Sequence, residues 1–349
     1  MKAFYFKHVL KFKTPGWTSR GVLNDKESWF IVIADQKKFG VGECSLIKGL
    51  SPDPVMGFEK KLEEICAEIK SGFEVLEKKL NDFPSILFGL ETAFNSFYSK
   101  NPFVFTNSKL QNGKDHININ GLIWMGKKSF MQDQIKEKIE SGFNCIKIKV
   151  GSLDFDQECD ILKNIRSYYS SDDIEIRLDA NGAFSFKSAI KKLKILSGFG
   201  IHSIEQPIAV NQWEEMAFLC KNSPIKIALD EELIGLNSAL EGEKMLKKIC
   251  PQFIIIKPSL LGGIKKSESW IKLAESQKIK WWCTSALESN IGLNAIAQWI
   301  YSRKEMNIQG LGTGGLYTNN ISCPYYISNG KLKYNPKISW DIKLFKNYG

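Results

Sequence analysis

The chain has 349 residues, 43% of them hydrophobic, which is enough for two domains or for one barrel with an attached domain. Its 48 Lys and Arg against 38 Asp and Glu give a formal charge of +10, but the lysines are dispersed among acids with no basic arm or nucleic-acid motif, so nucleic acid is disfavoured as a partner. No run of 18 apolar residues occurs, Met1 to Thr14 does not read as a signal peptide, and eight scattered cysteines fit a reduced cytoplasm, so no membrane association is expected.

Residues 2–13 and 28–43 are rich in Phe, Val and Ile and read as strands, with Ala34-Asp35-Gln36 as a turn. The stretch 14–21 between them reads as a loop. Residues 55–71 and 84–99 have helical spacing, and Pro84 is placed to start the second helix. Asn112-Gly113 reads as a break. Residues 1–113 are therefore expected to form an α+β domain, residues 114–320 a second domain, and residues 321–349 a tail returning to the first, with a strand-like run at Lys331 to Tyr334.

From His116 onward short apolar strands alternate with helical patterns. The strands fall at 117–122, 145–150, 174–179, 201–205, 226–230, 253–257, 280–284 and 308–312. Alternation implies a parallel sheet, and eight strands with seven intervening helical segments imply a closed (β/α)7β barrel. No Gly-x-Gly-x-x-Gly follows the first strand, which disfavours a dinucleotide site.

Lys149, Asp179, Glu205, Asp230, Lys257 and Ser285 each fall at or just past the C-terminal end of one strand, one βα unit apart. Those ends form the functional face of such a barrel. Alternation puts Lys147 with Lys149, and Arg177 with Asp179, on the inward side, where an inert barrel would carry branched apolar residues. His202 has the opposite parity to Glu205 and is expected to face a helix, with no catalytic role. Alone, a Lys-x-Lys is a solvated strand face and a strand-end Asp is a helix N-cap; the repeated spacing overturns these readings. Three clustered carboxylates repel one another without a cation and suit Mg²⁺, with Mn²⁺ as the alternative. The metal would bind a substrate carboxylate and stabilise the enediolate formed when a lysine takes the α-proton.

The stretches Ile146-Lys-Ile-Lys149-Val-Gly, Arg177-Leu-Asp179-Ala-Asn181-Gly, Ile204-Glu205-Gln-Pro207, Ala228-Leu-Asp230-Glu231 and Ile256-Lys257-Pro resemble the enolase superfamily, and the pairing of lysines resembles its muconate-lactonising subgroup. The resemblance implies a modified TIM barrel, (β/α)7β, with an α+β capping domain. The seventh strand ends Trp282-Cys283-Thr284 without histidine, which disfavours the mandelate-racemase subgroup. The segment Thr284-Ser285-Ala-Leu-Glu288-Ser289-Asn-Ile-Gly292-Leu is similar to that of o-succinylbenzoate synthases. Dipeptide epimerases carry an Asp-x-Asp at the eighth strand; here the segment reads Gly310-Leu-Gly312-Thr-Gly314.

By that resemblance the reaction is the syn-dehydration of 2-succinyl-6-hydroxy-2,4-cyclohexadiene-1-carboxylate to 2-succinylbenzoate, a step of menaquinone synthesis. The alternative is an N-acylamino-acid racemase or cycloisomerase. Asp179, Glu205 and Asp230 would hold the metal. Lys149 would move the proton, Lys257 would stabilise the anion from the other face, and Lys147 would tune Lys149. Asn181 and Glu231 would support the metal. Arg177 would contact the substrate or support the site, unless it forms an internal ion pair. Ser285 and the backbone at Gly312 and Gly314 would face the anionic carboxylate substrate. The loop 14–21 would close over the mouth, with Ser19 and Arg20 touching substrate.

Overall fold

A computed structural model describes residues 1–18, 21–236, 238–305 and 307–345. The chain starts with a long antiparallel hairpin, β1 (Lys2–Thr18) with β2 (Gly21–Ala34), and β3 (Phe39–Ser45) pairs with the inner half of β2. The sequence expectation of a loop over 14–21 is corrected for its described residues, 14–18 and 21, which lie in strands. The pairing resumes at Gly16↔Leu23 and runs to Thr18↔Gly21 after a register shift between Lys11 and Gly16. Pro15 lies in that shift; it has no N–H to give a ladder, so an interruption there is what its chemistry requires. The helices Phe58–Ala67 and Pro84–Tyr98 cover one face of the sheet, burying Trp29, Ile31, Ile33, Leu62, Ile65 and Leu90.

The second domain is a parallel sheet in sequence order: β5 (Gly121–Ile123), β6 (Cys145–Lys149), β7 (Glu175–Asp179), β8 (Ile201–Glu205), β9 (Lys226–Leu229), β10 (Phe253–Ile256) and β11 (Lys280–Cys283). Two parallel bridges, Ile119↔Gln309 and Thr284↔Gly310, join its edges through the segment expected to be the eighth strand. Asn120 N donates to Gln309 O at 3.0 Å and Gly310 N to Cys283 O at 2.8 Å. The expected first strand, 117–122, is divided. β4 (His116–Asn118) pairs antiparallel with β13 (Lys331–Tyr334), which forms a hairpin with β12 (Tyr325–Ser328). Residues just before the barrel strand are thus committed to a small sheet at the N-terminal end.

Outward side chains such as Ile146, Ile148, Ile176, Leu178, Ile204, Leu229 and Ile254 pack against the helices. Inside the barrel, Ala228, Phe253, Ile255 and Trp282 fill the lower part. His202 departs from the simple alternation. The β7–β8 register jumps from Ile176↔Ile201 to Arg177↔Ser203, so His202 is an extra residue in its strand. Its ring lies 5.2 Å from Phe253 and 6.3 Å from Trp282, against the inner rings rather than a helix.

The two domains are joined by buried polar contacts. Glu43 on β3 accepts from Ser289 N (2.9 Å), Ser289 Oγ (2.6 Å) and Gly292 N (2.9 Å) at the start of helix Asn290–Ser302. Glu91 on helix 84–98 accepts from Ile264 N and Lys265 N at the start of helix Ile264–Ser276. Past the hairpin, Trp340, Ile342 and Phe345 pack with Phe30, Val32, Val41 and Phe103 on the open face of the first sheet. No helix among the described residues is long and apolar enough to cross a membrane.

Candidate active site

The inward side chains at the C-terminal strand ends lie under a cavity between the domains. Lys147, Lys149, Asp179, Asn181, Lys257, Ser285 and Gly312 line it from the barrel. Val22, Leu23, Ile47, Lys48 and Leu50 line it from the first domain, and Trp124, Leu287 and Leu316 complete an apolar wall.

At the floor, lysines and carboxylates interlock. Lys149 Nζ donates to Asp179 Oδ2 at 3.0 Å and to Asn181 Oδ1 at 2.6 Å. Lys147 Nζ lies 3.1 Å from the same Asp179 oxygen and pairs with Glu205 Oε2. Across the barrel, Lys257 pairs with Asp230 Oδ2. Asn181 Nδ2 reaches Glu231 Oε1 at 2.9 Å, and Asn181 N bonds Asp179 Oδ1 at 3.1 Å. Asn181 holds φ at 44°, a left-handed conformation that asparagine tolerates better than most residues.

Electrostatics follow from burial and pairing. Burial opposes the charge on Lys147, but Asp179 and Glu205 outweigh it, and its pKa is raised. Burial likewise opposes the charge on Lys257, and Asp230 reverses that effect. Burial tends to protonate Asp179, yet Lys147 and Lys149 hold its pKa well below the usual carboxylate range. Glu205 is pushed up to about 7, by burial first and despite Lys147, with Asp179 and Asp230 adding repulsion.

The three expected metal ligands terminate neighbouring strands, with Asp179 and Glu205 in direct register. Among the described residues no three His, Cys, Asp or Glu side chains stand close enough to enclose an ion, and lysine ammonium groups pair with the oxygens of Asp179, Glu205 and Asp230. The donors nevertheless fit a hard divalent cation. All three are buried carboxylates, and Glu205 Oε1 is buried with no hydrogen-bond partner among the described residues.

Other expected residues are placed differently. Arg177 does not line the cavity. It lies deeper in the barrel, with Nε on Glu175 Oε1 (2.7 Å), Nη1 on Ile308 O (3.0 Å) and its guanidinium 4.4 Å from the Trp282 ring centre. Of the alternatives that the sequence left open, the structure shows the internal ion pair, made with Glu175, together with a cation–π contact. Gly314 also lies away from the cavity: a Cβ there would sit 2.6 Å from Asn290 Oδ1, so the glycine serves packing against helix 290–302. Ser19 and Arg20 lie outside the described residues. Ser285 is buried, its hydroxyl 2.5 Å from Glu288 Oε2 and 2.6 Å from Thr313 Oγ1.

Sequence reasoning gave Glu288 no role beyond its place in the segment 284–293, and passed over Glu43 and Lys48. Glu288 ties the ends of the sixth and seventh strands together, accepting from Ser259 Oγ, Ser285 Oγ and Ala286 N. Glu43 could have been noticed as an acid within the apolar strand Phe39–Ser45, but its partner lies 246 residues away.

Residues 131–334 match the family model described as "Enolase C-terminal domain-like". An o-succinylbenzoate synthase from Desulfotalea psychrophila is 44% identical, over 95% of this chain and 98% of that protein. The crystal structure of MenC from the same organism superposes with a TM-score of 0.85 at 41% identity, covering 95% of this chain and 99% of the other. A muconate lactonizing enzyme from Pseudomonas fluorescens shares the fold, with a TM-score of 0.79 at 18% identity over 99% of this chain and 98% of the other. With strand-end lysines and carboxylates under a capping domain, and with such a relative matched along nearly its whole length, the chain belongs to the enolase superfamily and, within it, to the o-succinylbenzoate synthase family.

Proposed function

We propose that this chain dehydrates 2-succinyl-6-hydroxy-2,4-cyclohexadiene-1-carboxylate to 2-succinylbenzoate, with Lys149 as the proton carrier. The observation that carries this reading is the cavity floor. Lys149 and Lys257 belong to strands on different sides of the carboxylate group formed by Asp179, Glu205 and Asp230, and both line one cavity. Among the described lining residues, Asp179 is the one carboxylate, against Lys48, Lys147, Lys149 and Lys257. That balance favours an anionic substrate, and the one lining carboxylate is already paired with Lys147 and Lys149, which disfavours an ammonium group.

Asp179, Glu205 and Asp230 would hold Mg²⁺, or Mn²⁺ in its place, which when bound would supply positive charge beside the substrate's ring carboxylate. Asn181, bonded to both Lys149 and Glu231, would keep the base and the carboxylates in fixed relation. Lys149 in its neutral form would take the proton α to the ring carboxylate. The hydroxyl on the same face would then leave as water, taking that proton from Lys149, which returns to its starting state. Lys257 would keep its charge opposite, where negative charge develops. The apolar wall of Leu23, Ile47, Leu50 and Trp124 would exclude water from the ring.

The test is loss of substrate absorbance in the ultraviolet, with Mg²⁺ and with EDTA, in wild type and in Lys149→Ala. Metal-dependent turnover that the substitution abolishes is expected. A folded, Mg²⁺-supplemented protein without turnover would overturn the substrate assignment and direct the assay to N-succinyl amino acids.

A further inference from the structure

We infer that Lys48 is a specificity-determining residue that binds the second, distal carboxylate of the substrate; the inference rests on the proposed reading of this site. A succinyl-bearing ring carboxylate is a dianion. One charge is met at the floor by Lys149, Lys257 and the carboxylate-bound cation site. The other sits at the far end of a flexible chain and needs a partner some distance from the chemistry. The first-domain side of the cavity is Val22, Leu23, Ile47 and Leu50, all apolar, and Lys48 is the cation it presents among the described lining residues. A carboxylate set against that apolar wall without Lys48 would give up part of its hydration with no cation in return.

The backbone holds Lys48 in a fixed place. Residues 47–51 form a tight turn: Leu50 N bonds Ile47 O at 3.0 Å, Ser51 N bonds Ile47 O at 2.9 Å, and Ile47 N bonds Ser51 Oγ at 2.9 Å. Gly49 supplies the φ of +77° that the turn requires. Ile47 and Leu50 anchor the turn on the barrel against Leu260, Ala286 and Leu287. Lys48 is therefore carried on the seam between the domains rather than on a free surface loop.

Its ammonium pairs with Glu27 of β2. Lys48 Nζ lies 3.1 Å from Glu27 Oε2, while Lys7 Nζ lies 3.1 Å from the other Glu27 oxygen. Glu27 is thus shared between two cations. Lys48 has three N–H donors and this pair uses one. Its side chain is 67% exposed, so it is still hydrated and accessible to a ligand entering the cavity. Shared acid, pinned turn and solvated cation together make a carboxylate receptor ready to exchange water for ligand.

The experiment measures binding of 2-succinylbenzoate and of its analogue carrying an amide at the succinyl terminus, by calorimetry with Mg²⁺. Wild type, Lys48→Gln and Arg20→Gln are compared, with kcat and KM for the dehydration substrate alongside. A charge-assisted contact is worth about 1.5–3 kcal/mol, so wild type is expected to prefer the dicarboxylate by about 10- to 150-fold. Lys48→Gln should remove that preference, raise KM by about tenfold and leave kcat within about twofold. Raised salt should erode the preference in wild type and change little in the variant. The inference is overturned if Lys48→Gln keeps the preference, if Arg20→Gln alone abolishes it, or if wild type shows none. If wild type binds the dicarboxylate preferentially through Lys48 but does not dehydrate the substrate, the proposed reaction fails and the carboxylate receptor stands.

Discussion

Lys149 and Lys257 are both strand-end lysines, but different acceptors hold them. Lys149 shares Asp179 with Lys147 and is also held by the neutral amide of Asn181. Lys147 and Lys149 therefore meet at one carboxylate oxygen, Asp179 Oδ2. Lys257 has Asp230 as its partner and is kept charged by it. A permanently charged lysine suits stabilisation of an anion rather than removal of a proton. Lys257→Ala is expected to lower kcat by about 10²-fold or more with little change in KM, since groups that stabilise developing charge act on the transition state. Lys257→Arg, which keeps the charge, should recover part of the loss. Steady-state kinetics check both, and a substitution that changed KM alone would assign Lys257 to ground-state binding.

At the scale of elements, the site depends on strands that end together and on a sheet held close to its helix. β3 and helix 84–98 approach so closely that a Cβ at Gly42 would collide with the Gly89 carbonyl, and one at Gly89 would collide with Cys44 Sγ. Gly42→Ala forces these backbones apart and is expected to cost about 1–3 kcal/mol, read as a lower midpoint in urea unfolding. Unchanged stability would mean the sheet and helix can separate without penalty. Because Glu43 follows Gly42 and holds Ser289, the same substitution should also lower kcat through the displaced seam. The His202 bulge shows the opposite situation. One extra residue in β8 turns a histidine onto the inner rings, while Ser203 and Glu205 keep the register that brings the carboxylate to the mouth.

For the whole molecule, the cavity exists only while the first domain stays docked on the barrel. Two buried acids hold that seam. Glu43 is part of a chain with Ser28 and the buried Lys26, whose charge burial disfavours. Glu91 is pushed up to about 7 by burial, against the two backbone N–H groups that favour its charge. Its pKa in the folded chain is higher than its ordinary value of 4.5. Its contribution is therefore fully present below pH 4.5 and is lost as pH rises through about 7. Relative to Glu91→Gln, wild type should lose up to about 3 kcal/mol of stability across that window, measured by urea unfolding at a series of pH values. A difference that grows with pH instead would show that the helix N-terminus outweighs burial.

The alternation of elements and the residue type at each strand end were legible without any tertiary information. A parallel barrel repeats every βα unit, and charged residues turned inward at that period cannot form an apolar barrel core, so they must converge on a site at its mouth. This made Lys149, Asp179, Glu205, Asp230 and Lys257 legible as one set, and their surrounding motifs pointed to the family that the comparisons then returned. Where the local rule was broken by one residue, at the His202 bulge or the divided first strand, pattern alone misplaced the side chains, since one inserted residue reverses parity. Arg177 had the right parity but the wrong depth, which is set by its pairing with Glu175 and stacking on Trp282 from a strand more than 100 residues later. The domain seam was decided only by tertiary structure. Glu91 and Lys48 have no local signature, and Glu43 has only that of an acid inside an apolar strand, because their partners or their cavity come from remote parts of the chain, and burial and charge pairing exist only once those parts meet.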